Sequence, residues 1–137
     1  MSWDVSLYKF TRYYRRIEEI PGDEQPRPLG SRSEVQTAVS DIFPGTNWND
    51  LGWGIFYDGA FGSIEFNLGN DDSVRSLALH VRARIEIVGE ILQLCERLSC
   101  QAIDLSNSSL LDQSEHPAAG LEKWRKYRDQ VIGESRC

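Results

Sequence analysis

The 137-residue sequence has little of what most chemistry needs: one methionine, two histidines and three cysteines. Cys95, Cys100 and Cys137 are an odd set without a Cys-x-x-Cys pair, which excludes the disulfide framework of a small secreted domain and fits reduced thiols in a cytosol. A Cys95–Cys100 bond is the rival reading. His80 and His116 are the only imidazoles, and their spacing from Cys95 and Cys100 fits no zinc template, so no metal is expected. The Gly-x-Ser-x-Gly elbow of a hydrolase is missing. Gly52, Gly54, Gly59 and Gly62 are neither followed by Lys-Ser/Thr nor placed to open a helix, so they are turn and strand glycines rather than a phosphate loop. No catalytic group and no cofactor is therefore expected. There is no apolar run of membrane-spanning length and no basic, then apolar leader at Met1-Ser2-Trp3-Asp4, which predicts a cytoplasmic protein without a membrane partner. Positive charge is also short: 15 Lys and Arg against 21 Asp and Glu give a formal charge of −6. That balance excludes general nucleic-acid binding and favours a basic partner.

What the chain does have is a run of strand patterns from Trp53 to Arg82. Trp53, Ile55 and Tyr57 alternate with other residues, and Asp58-Gly59 signals a turn. From Phe61 to Leu68, Ile64, Phe66 and Leu68 point one way and Ser63, Glu65 and Asn67 the other. After the turn signal Gly69-Asn70-Asp71-Asp72, Leu77, Leu79 and Val81 alternate with Ala78, His80 and Arg82. Short connections make the three strands antiparallel neighbours, with one face free to stay wet.

The flanks read as its cover. Trp3, Val5 and Leu7 alternate with Asp4, Ser6 and Tyr8, predicting a first strand in the same core. Thr11 to Gly30, with three prolines, reads as a long loop whose basic half (Arg12, Arg15, Arg16) and acidic half (Glu18, Glu19, Asp23, Glu24) offset each other. Ser31 and Glu34 match a capping box, and Val35, Ala38, Val39 and Ile42 give the helix after it one apolar stripe, ended by Pro44-Gly45. Thr46 to Asp50 reads as a polar connection in which Trp48 either plugs the core edge or anchors an interface. Ile85, Val88, Leu92 and Cys95, beside Ile87, Ile91, Leu94 and Leu98, predict the best-buried helix. Gln101 to Leu105 predicts a short last strand. Pro117 suits the first turn of a final helix carrying Leu121, Trp124 and Val131, with residues 132–137 a frayed tail. The expectation is one α+β domain over 1–137 with two layers: a mostly antiparallel sheet and helices packed on one face.

Several stretches resemble a group of small, uncharacterised bacterial proteins: Met1-Ser2-Trp3-Asp4-Val5, Phe43-Pro44-Gly45-Thr46 with Trp48, Phe61-Gly62-Ser63-Ile64-Glu65-Phe66-Asn67, Leu79-His80-Val81-Arg82 and Ala102-Ile103-Asp104 with Leu111-Asp112. That likeness covers most of the chain and implies no activity. Size, acidity and single-domain build are also similar to stand-alone bacterial immunity proteins, an analogy of fold and composition.

Function is accordingly expected to be stoichiometric protein binding, with an immunity-type inhibitor of a basic toxin domain as its specific form. The partner surface is expected from Glu18, Glu19, Asp23, Glu24, Tyr14, Trp48, Asp58 and Glu65. The alternative is a ligand site or small enzyme on the wet sheet face, using Tyr8, Glu65, Asn67, His80 and Arg82. There Glu65 and His80 face each other across adjacent strands, either as acid–base equipment or as a plain charge pair. A structural homo-oligomer is the third reading.

Overall fold

A computed structural model describes residues 2–50, 52–59 and 62–135, with the backbone alone for Asn49, Asp58 and residues 132–135. Phe61 and Cys137 lie outside the described residues. Alternating patterns become strands where expected: β1 (Trp3–Tyr8), β4 (Trp53–Asp58), β5 (Gly62–Asn67), β7 (Leu77–Ala83) and β8 (Gln101–Asp104). Two-residue strands β2 (Gly30–Ser31) and β6 (Ser73–Val74) pair with each other, and β9 (Ser109–Leu110) extends the main sheet. Residues 47–50 correct one expectation, since Asn47–Asp50 is strand β3 at the sheet edge rather than an irregular connection. The sequence lacks any alternation there because the register between β3 and β4 shifts midway.

The main sheet runs β3-β4-β5-β7-β1-β8-β9, antiparallel throughout. The first strand of the chain is thus central, clamped between β7 and β8. Three helices join it: α1 (Arg32–Ile42), α2 (Ile87–Leu98) and α3 (Ala119–Ser135). The α1 capping box forms, the Glu34 amide donating to Ser31 Oγ at 3.1 Å and the Ser31 amide to Glu34 Oε1 at 3.1 Å. The last helix continues to Ser135, past the expected start of a frayed tail.

One core gathers Trp3, Val5, Leu7, Ile64, Phe66, Leu77, Leu79 and Val81 from the sheet with Val35, Val39, Val88, Ile91, Leu94 and Leu121 from the three helices; Ile42 and Leu92 pack at its margin. Every one of those sheet residues lies on the same side of the pleat, so all three helices cover that side and leave the other open. This is the expected α+β arrangement. Cys95 and Cys100 are free and buried, which removes the Cys95–Cys100 bond. The neighbouring Cys100 thiol and burial both push the Cys95 thiol far above its ordinary range.

Two contacts fix how the layers meet. Asp104, buried at the end of β8, accepts from the Trp3 indole at 3.0 Å and from the amide and hydroxyl of Ser106 at 2.9 and 2.6 Å. Helix α3 passes so close that a methyl on Gly120 would stand 2.2 Å from Asp104 Oδ2. At the other edge, Gly54 leaves room for the Trp48 ring, which a methyl there would meet at 2.5 Å.

Candidate functional site

The open side of the sheet is the surface that sequence and structure single out together. In antiparallel strands, directly paired residues place their side chains on one face. The pairings Asp50↔Trp53, Ile55↔Glu65, Glu65↔His80 and Asp4↔His80 therefore set Asp50, Trp53, Ile55, Glu65, His80 and Asp4 on a single surface across five strands. Tyr57, Ser63 and Arg82 form the adjoining row.

Polar groups occupy the middle of this surface. His80 Nδ1 lies 2.9 Å from Asp4 Oδ1 and Arg82 lies 3.6 Å from Glu65. Glu65 and His80 are cross-strand neighbours, as expected, but they do not pair with each other: the imidazole turns to β1 and the carboxylate to the guanidinium. Because a carboxylate only accepts, the contact with Asp4 puts a hydrogen on Nδ1. Nε2 has no hydrogen-bond partner among the described residues. The Trp53 ring stacks on the imidazole, with centroids 6.0 Å apart and planes 22° from parallel. That overlap is allowed because Trp53 reaches diagonally across the sheet where β7 presents only Ala78. Burial acts to raise the Asp4 carboxyl, but hydrogen bonds from Ser2 and His80 and the charges of His80 and Arg82 outweigh it and hold the group below its ordinary range.

Apolar residues flank the polar middle. Trp53, Ile55 and Tyr57 project outward from β4, with Ile55 39% and Tyr57 75% exposed. Phe56 and Gly54 take the inner side of that strand, opposite Ile64 and Phe66. Past β8, on the far side of the sheet, Leu105 is also exposed. Sequence reasoning found Asp4, Glu65, His80 and Arg82 of this surface and missed Asp50 and the aromatic residues, since a Trp-x-Ile-x-Tyr alternation reads naturally as a core face. The hairpin register held the missing signal. With Ile64 and Phe66 inward, counting back through the tight turn after Asp58 pairs them with Phe56 and Gly54 and turns the larger residues out.

The other expected site residues scatter. Tyr14 is 2% exposed: its ring meets Phe10 edge-on and its backbone N–H and C=O are both held by the Gln101 side chain at 2.8 Å, so it is no anchor for a partner. Glu24 is committed inside the loop, accepting from the Tyr14 hydroxyl and from the amide and hydroxyl of Thr11 at 3.0 Å. Those bonds, the Tyr14 hydroxyl first, lower its carboxyl below the ordinary range, and the bond to Glu24 in turn raises the Tyr14 hydroxyl. Glu19 accepts from the Arg16 amide at 3.0 Å and sits 4.0 Å from the Arg12 and Arg16 guanidiniums. Of the four acids, only Glu18 and Asp23 are exposed. Half of the acidic loop thus folds the loop rather than faces outward. Trp48 is the plug: its ring lies against Phe66 and its indole N–H donates to Ser40 Oγ at 3.0 Å. Asp58 ends β4, and its side chain lies outside the described residues. Tyr8 stacks on Phe10 four residues along β1 from Asp4, and Asn67 turns back to accept from the Gly69 amide at 3.0 Å. Neither joins the His80 group.

Among the described residues no group of three His, Cys, Asp or Glu converges as metal ligands would, and no helix is long and apolar enough to cross a membrane. No protein family, curated protein or solved structure matches this chain.

Proposed function

We propose that this chain is a protein-binding domain that docks a basic partner on the open face of its sheet, and that an immunity-type inhibitor covering a basic toxin surface is the specific form of that role. The observation that supports it is the strip of half-buried Trp53 with exposed Ile55 and Tyr57 beside Asp4, Asp50 and Glu65, with Arg82 in the adjoining row. Exposed aromatics beside a ring of polar groups have the make-up of an interface centre and its rim. A fold needs no such strip on its wet side, where the same alternation with polar residues would pair equally well. Acidic surplus on the face and a chain charge of −6 favour encounter with a positive surface.

The test is recovery of a partner from source cells by photo-crosslinking from position 63, which pairs with Tyr57 on the same face, in the otherwise wild-type chain, compared with Ile55→Asp/Tyr57→Asp and with Glu18→Lys/Asp23→Lys carrying the same probe. A basic protein captured by wild type and by the loop variant, and lost from the strip variant, supports the reading. Capture lost only from the loop variant moves the interface to the 11–30 loop and sinks it.

A second reading rests on His80 Nε2, which has no hydrogen-bond partner among the described residues, with the Trp53 ring stacked on the imidazole. A small molecule with a polar hydrogen-bonding group and a flat ring would engage both groups. A compound that quenches Trp53 fluorescence in wild type and not in His80→Ala would favour this reading; compounds acting alike on both would dismiss it.

A further inference from the structure

A second surface lies on the helical layer, independent of the open sheet face. Between the start of α2 and the start of α3 runs a cleft of about 590 Å³, floored by Ile85, Val88, Leu92 and Ala118. Glu86, Glu115, Glu122 and His116 line it as well, all exposed, and among the described residues no lysine or arginine does. Helix dipoles account for acids in first turns. They do not account for an apolar floor left open beneath those acids.

Gly89 supplies an independent observation. It is the third residue of α2, it lines this cleft, and a methyl built on it meets nothing within 4 Å. Its φ is an ordinary negative one, since it is not among the positive-φ glycines. Glycine inside a helix costs about 1 kcal/mol relative to alanine. Neither packing nor backbone conformation within this chain requires that cost here. A methyl would project into the cleft, so what glycine preserves is close approach to the α2 backbone from outside.

We propose that the cleft between α2 and α3 takes a cationic amphipathic helical segment of a partner protein, apolar side down, crossing α2 at Gly89 with lysines or arginines against Glu86, Glu115 and Glu122. Close helix–helix approach at a small residue and a helix laid into an apolar groove both have this geometry, and the three carboxylates select the charge of the segment.

The probe is a fluorescently labelled helical peptide with leucines on one face and lysines on the other, titrated into the full chain and followed by anisotropy. Binding is expected, weakening as salt rises. Gly89→Ala separates function from fold: it should raise the denaturation midpoint and weaken the peptide about tenfold or more, the effect of losing a close contact at an interface centre. Glu115→Gln/Glu122→Gln should weaken it too, with unchanged circular dichroism. A Gly89→Ala protein that binds the peptide as tightly as wild type overturns the proposal. So does failure of wild type to bind, and so does equal binding of an acidic peptide with the same leucine face. If dodecylammonium displaces nothing, the occupant is the helix as proposed; if it binds alone and the peptide does not, the cleft holds a small amphiphile and the proposal falls.

Discussion

Replacing Phe66 by alanine probes the join between the central hairpin and the helices. Phe66 is completely buried on β5, and its ring centre lies 5.3 Å from that of Phe43 and 6.4 Å from that of Trp48. Its cross-strand partners are Gly54, which has no side chain to move into a vacancy, and Leu79. The two aromatics are pinned as well: the Phe43 amide closes α1 on the Val39 carbonyl at 2.7 Å, and the Trp48 indole is tied to Ser40. A site that collapses poorly keeps its cavity, which places the loss in the upper part of the usual range for phenylalanine, about 4–5 kcal/mol. Against a total of about 5–15 kcal/mol this variant should be marginally folded. Equilibrium urea denaturation followed by tryptophan fluorescence measures it, since Trp48 reports on the perturbed region. Tyr57→Ala, on the open face of the neighbouring strand, is the control and should stay within about 0.5 kcal/mol of wild type. A loss below about 1.5 kcal/mol for Phe66→Ala, the cost of far smaller truncations, would refute the packing described for this corner.

Other outcomes test the remaining contacts. Gly120→Ala should destabilise despite alanine's better helix propensity, because the methyl meets Asp104 Oδ2 at 2.2 Å; a raised denaturation midpoint would contradict the close approach of α3. Asp104→Ala should cost about 1–3 kcal/mol in urea denaturation, as it strands the buried Trp3 indole N–H, while Trp3→Phe combined with it should cost less than the sum of the two. The Asp4 carboxyl is held below its ordinary value of 3.8, so its contribution to stability is present above that value and is lost as pH falls through the lower folded-state value. Asp4→Asn should accordingly flatten the fall in stability below about pH 4, and an unchanged acid limb in pH-dependent denaturation would rule the interaction out. Cys95 and Cys100, buried and with the Cys95 thiol pushed up, should react with a thiol reagent only at the rate of unfolding; immediate labelling of either without denaturant would disprove their burial.

The sequence by itself determined the local elements and the class of the fold. Alternation in Ile64-x-Phe66-x-Leu68 and Leu77-x-Leu79-x-Val81 has only one way to bury its large residues, and the Ser31–Glu34 box starts α1 using groups three residues apart. Such signals are carried by neighbours in the chain. Which face of β4 is the wet one depended instead on pairing, since Trp53-x-Ile55-x-Tyr57 satisfies either side until Gly54 meets the Trp48 ring from β3. The partner of His80 was likewise undetermined: Glu65 and Asp4 are both carboxylates on adjacent strands, and only the position of β1 beside β7 brought Asp4 within 2.9 Å. Tyr14 and Glu24, polar and in a proline-rich loop, look like surface residues in one dimension. The loop folds back on Gln101, 87 residues away, which buries Tyr14 and gives Glu24 a hydroxyl to hold. Long-range contacts of that kind cost chain entropy that no local pattern records, so tertiary structure alone decided which acids and aromatics of this chain remain available to a partner.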